Sequence, residues 1–516
     1  MIQKKLLSGL FWVLLANLIV KPFWILGIEV GVQNAVGNEA YGFYFSLFSF
    51  SYIFNILLDL GITNFNTRNI AQHPQLISKH LPGILSIKIC LLALYVVVTF
   101  SVGLLMGYGS REFRLLALLV LCQFFSSLIL YLRSNFEGLL LFKWDSLFSV
   151  LDRVLMIVIC GFLLWGPKFS IFNFQFSIYH FVYAQLAAYA ITALLAFIVI
   201  VRKAIISESA GVSSASHLSL STTHQPCPES HRRSSPFTFH LSPLTFHLSP
   251  AFALVILKKS APFALLVLLM ASYNRIDPIL LRRLAGDAAA GIYAGAFRLL
   301  DALTMVGYLV SVPLLPVFSR LCREVDKLNV DKLIGFRKNG STNQQINGST
   351  DQPINVSTYQ PINVSTLSDI VRLVFWPMMF FSVGVSVACT LWAAPLMELL
   401  YHGHGEAYVP VFRVVIFGLI PIGLTYIFGT LLTAGGYLRQ LNFFAAATLV
   451  LNVVVNLLLI PRLGAVGSAW ASLTAQSFMA LAQFILAVRI FRLPPSTFRL
   501  PGIADARQLF QLFSSR

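Results

Sequence analysis

Long runs of apolar residues recur along most of the 516-residue chain, separated by short polar segments. A run of about 20 apolar residues is the length that an α-helix needs to cross the ~30 Å hydrocarbon layer of a bilayer. The pattern predicts twelve membrane-spanning helices, termed spans one to twelve: 8–30, 41–62, 83–106, 113–132, 146–166, 177–201, 260–281, 291–318, 371–393, 410–432, 440–460 and 465–488.

Composition agrees with a chain that is surrounded by lipid. Apolar residues make up 57% of the chain and charged residues only 11%, and the mean hydropathy is +0.77. Soluble domains carry about 25% charged residues. The sequence therefore predicts an all-α polytopic membrane protein and excludes a soluble enzyme, a secreted domain and a disordered scaffold.

The distribution of Lys and Arg predicts the orientation of the chain in the membrane. The chain has 37 Lys and Arg against 20 Asp and Glu, a formal net charge of +17. With the N-terminus in the cytoplasm, the inner segments hold 25 of the basic residues and the outer loops hold 6. Cytoplasmic loops are enriched in Lys and Arg, so both termini are expected to be cytoplasmic.

A weak internal repeat relates the two halves of the chain. The segments 37–44 and 286–293 share Gly, Ala, Gly and Tyr at a constant offset of 249 residues, and they open spans two and eight. Because six spans separate them, the repeat predicts two parallel six-helix bundles. The alternative interpretation is a chance similarity between two Gly-rich loops.

Two tandem repeats interrupt the predicted bundles. Residues 236–249 repeat a heptapeptide and residues 339–366 an octapeptide, and their polar composition predicts disordered cytoplasmic inserts. The predicted organisation is an N-terminal lobe 1–205, an insert 206–258, a first part of the C-terminal lobe 259–325, a loop 326–369 with the octapeptide insert, the rest of that lobe 370–492, and a cytoplasmic tail 493–516.

Ionisable residues inside the spans are the candidates for function, because a charge at membrane depth needs a partner or a wet cavity. The basic residues of this set are Lys21, Lys88, Arg153, Arg275, Arg298 and Arg413, and the acidic ones are Glu29, Asp59, Asp152, Asp277 and Asp301. The small excess of cations favours an anionic substrate. Lys88 and Arg413 have a simpler interpretation, in which they extend to the membrane surface.

Helical spacing suggests how some of these groups are arranged. Arg298 and Asp301 are three residues apart and can pair. A polar stripe four residues apart in span two, formed by Ser51, Asn55, Asp59 and Thr63, is continuous enough to line a path. The same holds for shorter polar stripes in spans eleven and twelve; the alternative for all of them is hydrogen bonding between helices.

Two prolines predict local helix breaks. Pro278 lacks an N–H group, so the carbonyl of Asn274 loses its helical partner next to Arg275 and Asp277. Pro22 beside Lys21 is the analogous position in span one. Broken helices at membrane depth occur where they line a cavity, although a simple kink near the membrane surface is the alternative.

Eight motifs in the chain, taken together, resemble those of a known family. In chain order they are Val36–Gly42, Leu58–Ile62, Asn274–Leu281, Gly291–Arg298, Leu400–Gly403, Leu432–Gly436, Leu451–Val453 and Ile460–Ala469. The chain resembles the polysaccharide-biosynthesis branch of the multidrug/oligosaccharidyl-lipid/polysaccharide exporters, in particular the Wzx-type oligosaccharide flippases. The two tandem inserts depart from the family pattern.

The resemblance implies a V-shaped fold of two six-helix lobes around a cationic lumen in a bacterial inner membrane. It implies alternating access and the movement of an undecaprenyl-pyrophosphate-linked oligosaccharide to the periplasmic leaflet, next to polysaccharide polymerases and glycosyltransferases. Arg298, Arg275, Arg153 and Lys21 are then expected to attract the pyrophosphate. Asp59, Asp277, Asp301 and Asp152 are expected to pair with these cations or to take a coupling H⁺ or Na⁺.

Two other functions remain as alternatives. A multidrug/cation antiporter of the same superfamily would need a lumen with net negative charge. A membrane glycosyltransferase, polymerase or ligase would need a large periplasmic loop or an acidic metal-binding motif, and the sequence offers neither. No phosphate-binding loop, catalytic residue, metal site or nucleic-acid-binding role is expected.

Overall fold

A computed structural model describes residues 17, 19–63, 66–67, 70, 77–139, 141–165, 176–218, 250–338 and 364–500. Every regular element within these ranges is helical. The α-helices are Val30–Ile53, Ile77–Leu105, Ser110–Gly138, Phe142–Trp165, Ile178–Leu218, Pro250–Ala285, Asp287–Lys338, Val364–Leu391, Ala393–Leu400, Val409–Val415, Leu419–Ala434 and Leu438–Phe491. Shorter elements are a π-helix Trp24–Glu29 and 3₁₀ turns Phe54–Leu58, Gly405–Ala407, Ile416–Gly418 and Pro495–Phe498.

Ten helical stretches of the described residues are long and apolar enough to cross a membrane, and two of them contain two spans each. Ile19–Leu58 covers 40 residues and Leu438–Phe491 covers 54, about 80 Å of helix in the second case. Each is interrupted by a glycine with positive φ, Gly37 (φ 79°) and Gly464 (φ 55°). Residues with a Cβ rarely adopt this conformation, so the two glycines divide the ten stretches into the twelve predicted spans.

Several helices extend beyond the boundaries that hydropathy predicts. The helix of span three begins at Ile77 instead of residue 83, and the helix of span eight continues to Lys338. Helices also reach into the margins of both predicted inserts, to Leu218 and from Val364. The heptapeptide tandem and residues 339–363 of the octapeptide tandem lie outside the described residues.

The chain divides into two compact units, residues 1–291 and 292–516. In the first unit, the helix Pro250–Ala285 packs along Val30–Ile53, and Ser110–Gly138 packs along Ile178–Leu218. In the second, Leu419–Ala434 packs against Leu438–Phe491. The predicted lobe boundaries remain a prediction.

Contacts at the two ends of the first unit agree with spans that alternate in direction. At one end, Arg282 after span seven forms a 2.8 Å ion pair with Glu112 before span four. At the other end, Thr67 after span two donates a 3.2 Å hydrogen bond to Glu137 after span four. Segments that the sequence assigns to the same side of the membrane therefore meet in the structure.

The second unit shows the same alternation. Tyr401, between spans nine and ten, donates a 3.0 Å hydrogen bond to the carbonyl of Gly295 at the start of span eight. At the opposite end, Arg372 at the start of span nine donates to the carbonyl of Arg499, which follows span twelve. The contacts fix the order of crossing, while the side on which the termini lie remains a prediction.

The two repeat segments touch each other within the first unit. A Cβ on Gly42 would overlap the backbone of Asp287 and Gly291, and a Cβ on Gly291 would overlap the backbone of Asn38. The offset of 249 residues converts Gly42 into Gly291 and Asn38 into Asp287, so each segment makes the same contact to the other. The Gln33 amide stabilises this contact by donating to the carbonyl of Gly291 at 2.8 Å. Close backbone packing thus explains why both segments carry glycine here.

We expect Gly42→Ala and Gly291→Ala to lower the stability of the purified protein. The added methyl group has to displace backbone, and overpacking of this kind costs about 1–3 kcal/mol. Thermal unfolding in detergent measures the effect. Gly83→Ala is the matched control, because nothing lies within 4 Å of a Cβ at this helical glycine. Equal melting temperatures for the Gly42 and Gly83 variants would contradict the proposed close contact.

Candidate functional site

Span two loses its α-helical geometry in its second half. The α-helix ends at Ile53, a 3₁₀ turn covers Phe54–Leu58, and Leu60 and Gly61 have positive φ angles of 45° and 86°. The predicted stripe with a spacing of four residues is therefore wrong as a continuous helical face. Unwinding instead frees backbone carbonyls at membrane depth, where they need donors from neighbouring spans.

Lys88 of span three supplies those donors. Its ammonium group lies 2.8 Å from Asp59 Oδ1, 2.9 Å from the carbonyl of Leu58 and 2.9 Å from Ser127 Oγ. These three contacts match the three N–H groups of a lysine, and the side chain is only 1% exposed. The charge of Asp59, which also accepts a hydrogen bond from Thr63, is thereby neutralised.

The interpretation that Lys88 extends to the membrane surface is wrong. The Lys88 ammonium group is enclosed by Asp59, Leu58 and Ser127 inside the first unit, and the side chain is only 1% exposed.

A second polar cluster forms where span one leaves α-helical geometry. The backbone forms a π-helix from Trp24 to Glu29, two residues after Pro22. Insertions of this kind often occur at functional sites. The Arg153 guanidinium of span five lies near this segment, with its Cζ 5.8 Å from the Trp24 ring.

Arg153 has partners on two further sides. Its Nη1 donates to the Tyr189 hydroxyl at 2.6 Å, and its Cζ lies 5.5 Å from the Tyr189 ring. Asp152 Oδ2 lies 3.8 Å from the same Nη1. The Arg153 side chain remains 27% exposed, so a guanidinium with five N–H groups still has edges that an acceptor can reach.

Lys21 completes what we term the span-one cluster: Lys21, Trp24, Asp152, Arg153 and Tyr189. Lys21 lies within electrostatic range of both Arg153 and Asp152. The Glu29 carboxylate lies within electrostatic range of Arg153. The structure therefore brings together three of the residues that the sequence singled out, Lys21, Asp152 and Arg153.

Arg275, Asp277 and Pro278 lie on the helix Pro250–Ala285, also in the first unit. Arg275 places its Cζ 5.3 Å from the ring of Tyr52 in span two. Asp277 is fully buried. The predicted break at Pro278 is not observed, because the helix continues through it. A proline removes one N–H group, and the buried neighbours Asp277 and Ile279 hold this stretch in a packed environment.

Arg298 belongs to the second unit and is only 4% exposed. The Asp301 carboxylate lies three residues further along the same helix, so the two side chains share a face. Tyr401 is held by its hydrogen bond to Gly295 and by stacking on Tyr408, with ring centroids 4.0 Å apart. Tyr401 and Tyr408 thus pack against Gly295, one helical turn before Arg298.

The polar residues of spans eleven and twelve bond to each other. Asn456 donates to Asn452 at 2.7 Å, and Ser468 donates to Asn456 at 3.0 Å. These bonds connect two spans on either side of Gly464. For these residues the structure agrees with the interhelical alternative.

Sequence reasoning missed the tyrosine that positions Arg153. Gln185 donates to the Tyr189 hydroxyl at 3.2 Å and accepts a hydrogen bond from Tyr44. The four-residue spacing of Gln185 and Tyr189 in span six is the signal that could have revealed them. Among the described residues, no group of three or more His, Cys, Asp or Glu side chains could hold a metal ion.

Comparison with known proteins identifies the family to which the chain belongs. The model of the family described as polysaccharide biosynthesis protein matches residues 6–322. No curated protein matches the sequence at a significant level.

Several solved structures similar to the chain are membrane transporters or flippases. A mutant of the MATE transporter VcmN from Vibrio cholerae has 15% identity and a TM-score of 0.53, with 96% of this chain and 99% of that chain covered. A MOP superfamily transporter from Pyrococcus furiosus has 14% identity and a TM-score of 0.57, with 95% and 96% covered. The lipid II flippase MurJ, in an inward closed conformation, has 12% identity and a TM-score of 0.56, with 100% and 98% covered. The chain therefore has the fold of the MOP-superfamily transporters and belongs to the polysaccharide biosynthesis protein family.

Proposed function

We propose that the protein flips an undecaprenyl-pyrophosphate-linked oligosaccharide from the cytoplasmic to the periplasmic leaflet of a bacterial inner membrane. The family match supports a role in polysaccharide synthesis, and the fold is shared with a flippase for lipid II. The distribution of Lys and Arg supports cytoplasmic termini. In this proposal the protein is a transporter, not an enzyme, and it delivers its cargo to a polymerase and receives it from glycosyltransferases.

The pairing of acids with bases is the observation that carries the proposal. Asp59 pairs with Lys88, Asp145 with Arg133, and Asp152 lies beside Arg153. A cationic drug would meet Asp59 and Asp152 already paired with a base. An anionic pyrophosphate would instead meet guanidinium edges, because a guanidinium stacked on an aromatic ring keeps its N–H groups directed outward.

We assign the pyrophosphate to Arg153 and Lys21 in the first unit, with Arg275 on the face of Tyr52 as a further contact. Arg298 is buried, so it would contact the cargo only in another state of the transport cycle. Asp152, Asp277 and Asp301 would hold these cations in place or take a coupling H⁺ or Na⁺. Because Lys88 already pairs with Asp59, we assign Asp59 to the contact between spans two and three and not to the cargo.

The multidrug/cation antiporter remains the second candidate because MATE transporters share the fold. The two functions differ in the charge that the site must bind. Removing a paired acid such as Asp152 should harm a cation antiporter more than removing Arg153, whereas a pyrophosphate flippase should show the opposite order.

We expect Arg153→Ala and Arg298→Ala each to reduce transport of a pyrophosphate-linked oligosaccharide by about tenfold or more, because each change removes charge-assisted hydrogen bonds. Transport is measured with the purified protein in proteoliposomes, and surface polysaccharide is measured in cells that depend on this chain. Arg153→Lys and Arg298→Lys should restore part of the activity, since the charge is kept.

The exposed arginines Arg202 and Arg439 provide matched controls, one in each unit. Their alanine variants should transport normally. Normal transport by Arg153→Ala and Arg298→Ala at normal protein levels would contradict the assignment of the cargo to these residues.

A double-mutant cycle tests the buried pair of spans two and three. Lys88→Met alone leaves an unpaired carboxylate at membrane depth, and we expect it to destabilise the protein by about 3–5 kcal/mol. Combining it with Asp59→Asn should recover much of this loss. Thermal unfolding in detergent measures both effects, and strictly additive losses would argue against a direct ion pair.

A further inference from the structure

An open groove lies at one end of the first unit, where the helices Ser110–Gly138 and Ile178–Leu218 begin. It has a volume of about 600 Å³ and is lined by Arg111, Arg114, Leu118, Tyr179 and Tyr183. The first three residues begin the helix Ser110–Gly138, and the two tyrosines begin the helix Ile178–Leu218, which packs against it. We term it the Arg111 groove.

The two arginines give the groove a positive end. Arg111 and Arg114 are three residues apart on one helix, so they share a face, and both are exposed. Arg111 is positioned by the Phe43 ring, 4.4 Å from its Cζ. Stacking leaves the edge of the guanidinium available for a planar or tetrahedral oxyanion.

The nearby carboxylates form ion pairs with a different arginine. Glu112, the residue next to Arg111, pairs with Arg282 at 2.8 Å, and Asp287 pairs with the same Arg282 at 2.6 Å. No ion pair between described residues includes Arg111 or Arg114. The groove therefore presents positive charge without a neutralising acid from the described part of the chain.

Apolar surface continues from the groove along both helices. On the first helix Leu118 is followed by Leu121, which is 40% exposed. On the second helix, Tyr183 is 53% exposed, and Ile191 and Leu194, two and three turns further along, are 41% and 58% exposed. Tyrosines at the end of an apolar helical face are typical of the membrane–water interface.

We propose that the Arg111 groove binds an anionic phospholipid as a resident lipid, separate from the transported cargo. The phosphodiester would lie between Arg111 and Arg114, the tyrosine hydroxyls would contact the polar headgroup, and the acyl chains would follow the exposed apolar faces. A free phosphate would use the arginines alone, so the apolar faces favour a lipid. Under the predicted orientation this lipid belongs to the periplasmic leaflet, because Arg111 lies in an outer segment.

The test measures binding of phosphatidylglycerol to the full-length protein in detergent by native mass spectrometry and by the shift in melting temperature. Phosphatidylcholine and inorganic phosphate serve as probes of a neutral lipid and of a free anion. We expect phosphatidylglycerol alone to bind tightly and to raise the melting temperature. Arg114→Gln should weaken its binding about tenfold, which corresponds to the loss of charge-assisted hydrogen bonds.

Arg111→Gln should have a similar effect, and Arg114→Gln decides the outcome if loss of the Phe43 contact prevents folding. Arg439→Gln is the control, as Arg439 is an exposed arginine of the second unit. The proposal is overturned if phosphatidylcholine or inorganic phosphate binds equally well, or if the Arg114 variant binds phosphatidylglycerol with unchanged affinity.

Discussion

The ion pair between Lys88 and Asp59 illustrates the constraint on which the first unit depends: polar groups at membrane depth must be satisfied inside the protein. Span two unwinds, which releases the carbonyl of Leu58, and the Lys88 ammonium bonds to this carbonyl, to Asp59 and to Ser127. The hydrocarbon layer contains no water that could form these hydrogen bonds instead. The irregular backbone of span two and the buried charge of span three are therefore parts of one arrangement, and each would be costly without the other.

The span-one cluster follows the same rule with different chemistry. Here the backbone forms a π-helix, and the neighbouring span supplies Arg153, which is held by Tyr189, Asp152 and the Trp24 ring. The difference is accessibility, because Lys88 is fully enclosed by its partners whereas the Arg153 side chain remains partly exposed. This contrast separates an enclosed charge from a partly exposed one, and position in the sequence does not reveal it.

The contact between Gly42 and Gly291 adds a constraint at one end of the unit. The two repeat segments approach so closely that neither glycine position tolerates a Cβ. Arg282 forms ion pairs with both Glu112 and Asp287 at the same end. Backbone packing between glycines lets the two helix ends approach without large side chains between them.

Hydropathy and charge determined much of the architecture by themselves: the number of spans, their order along the chain and an all-helical fold. These features follow from the cost of placing polar backbone and charge in hydrocarbon, which acts on each segment separately. The tertiary structure decided which ionisable residues meet. Lys88 pairs with Asp59 because span two unwinds. Arg153 donates a hydrogen bond to Tyr189 because spans five and six pack together. The sequence could list the charged residues within the spans, but pairing depends on the rotation and local unwinding of helices, and these are set by packing between segments distant in the chain.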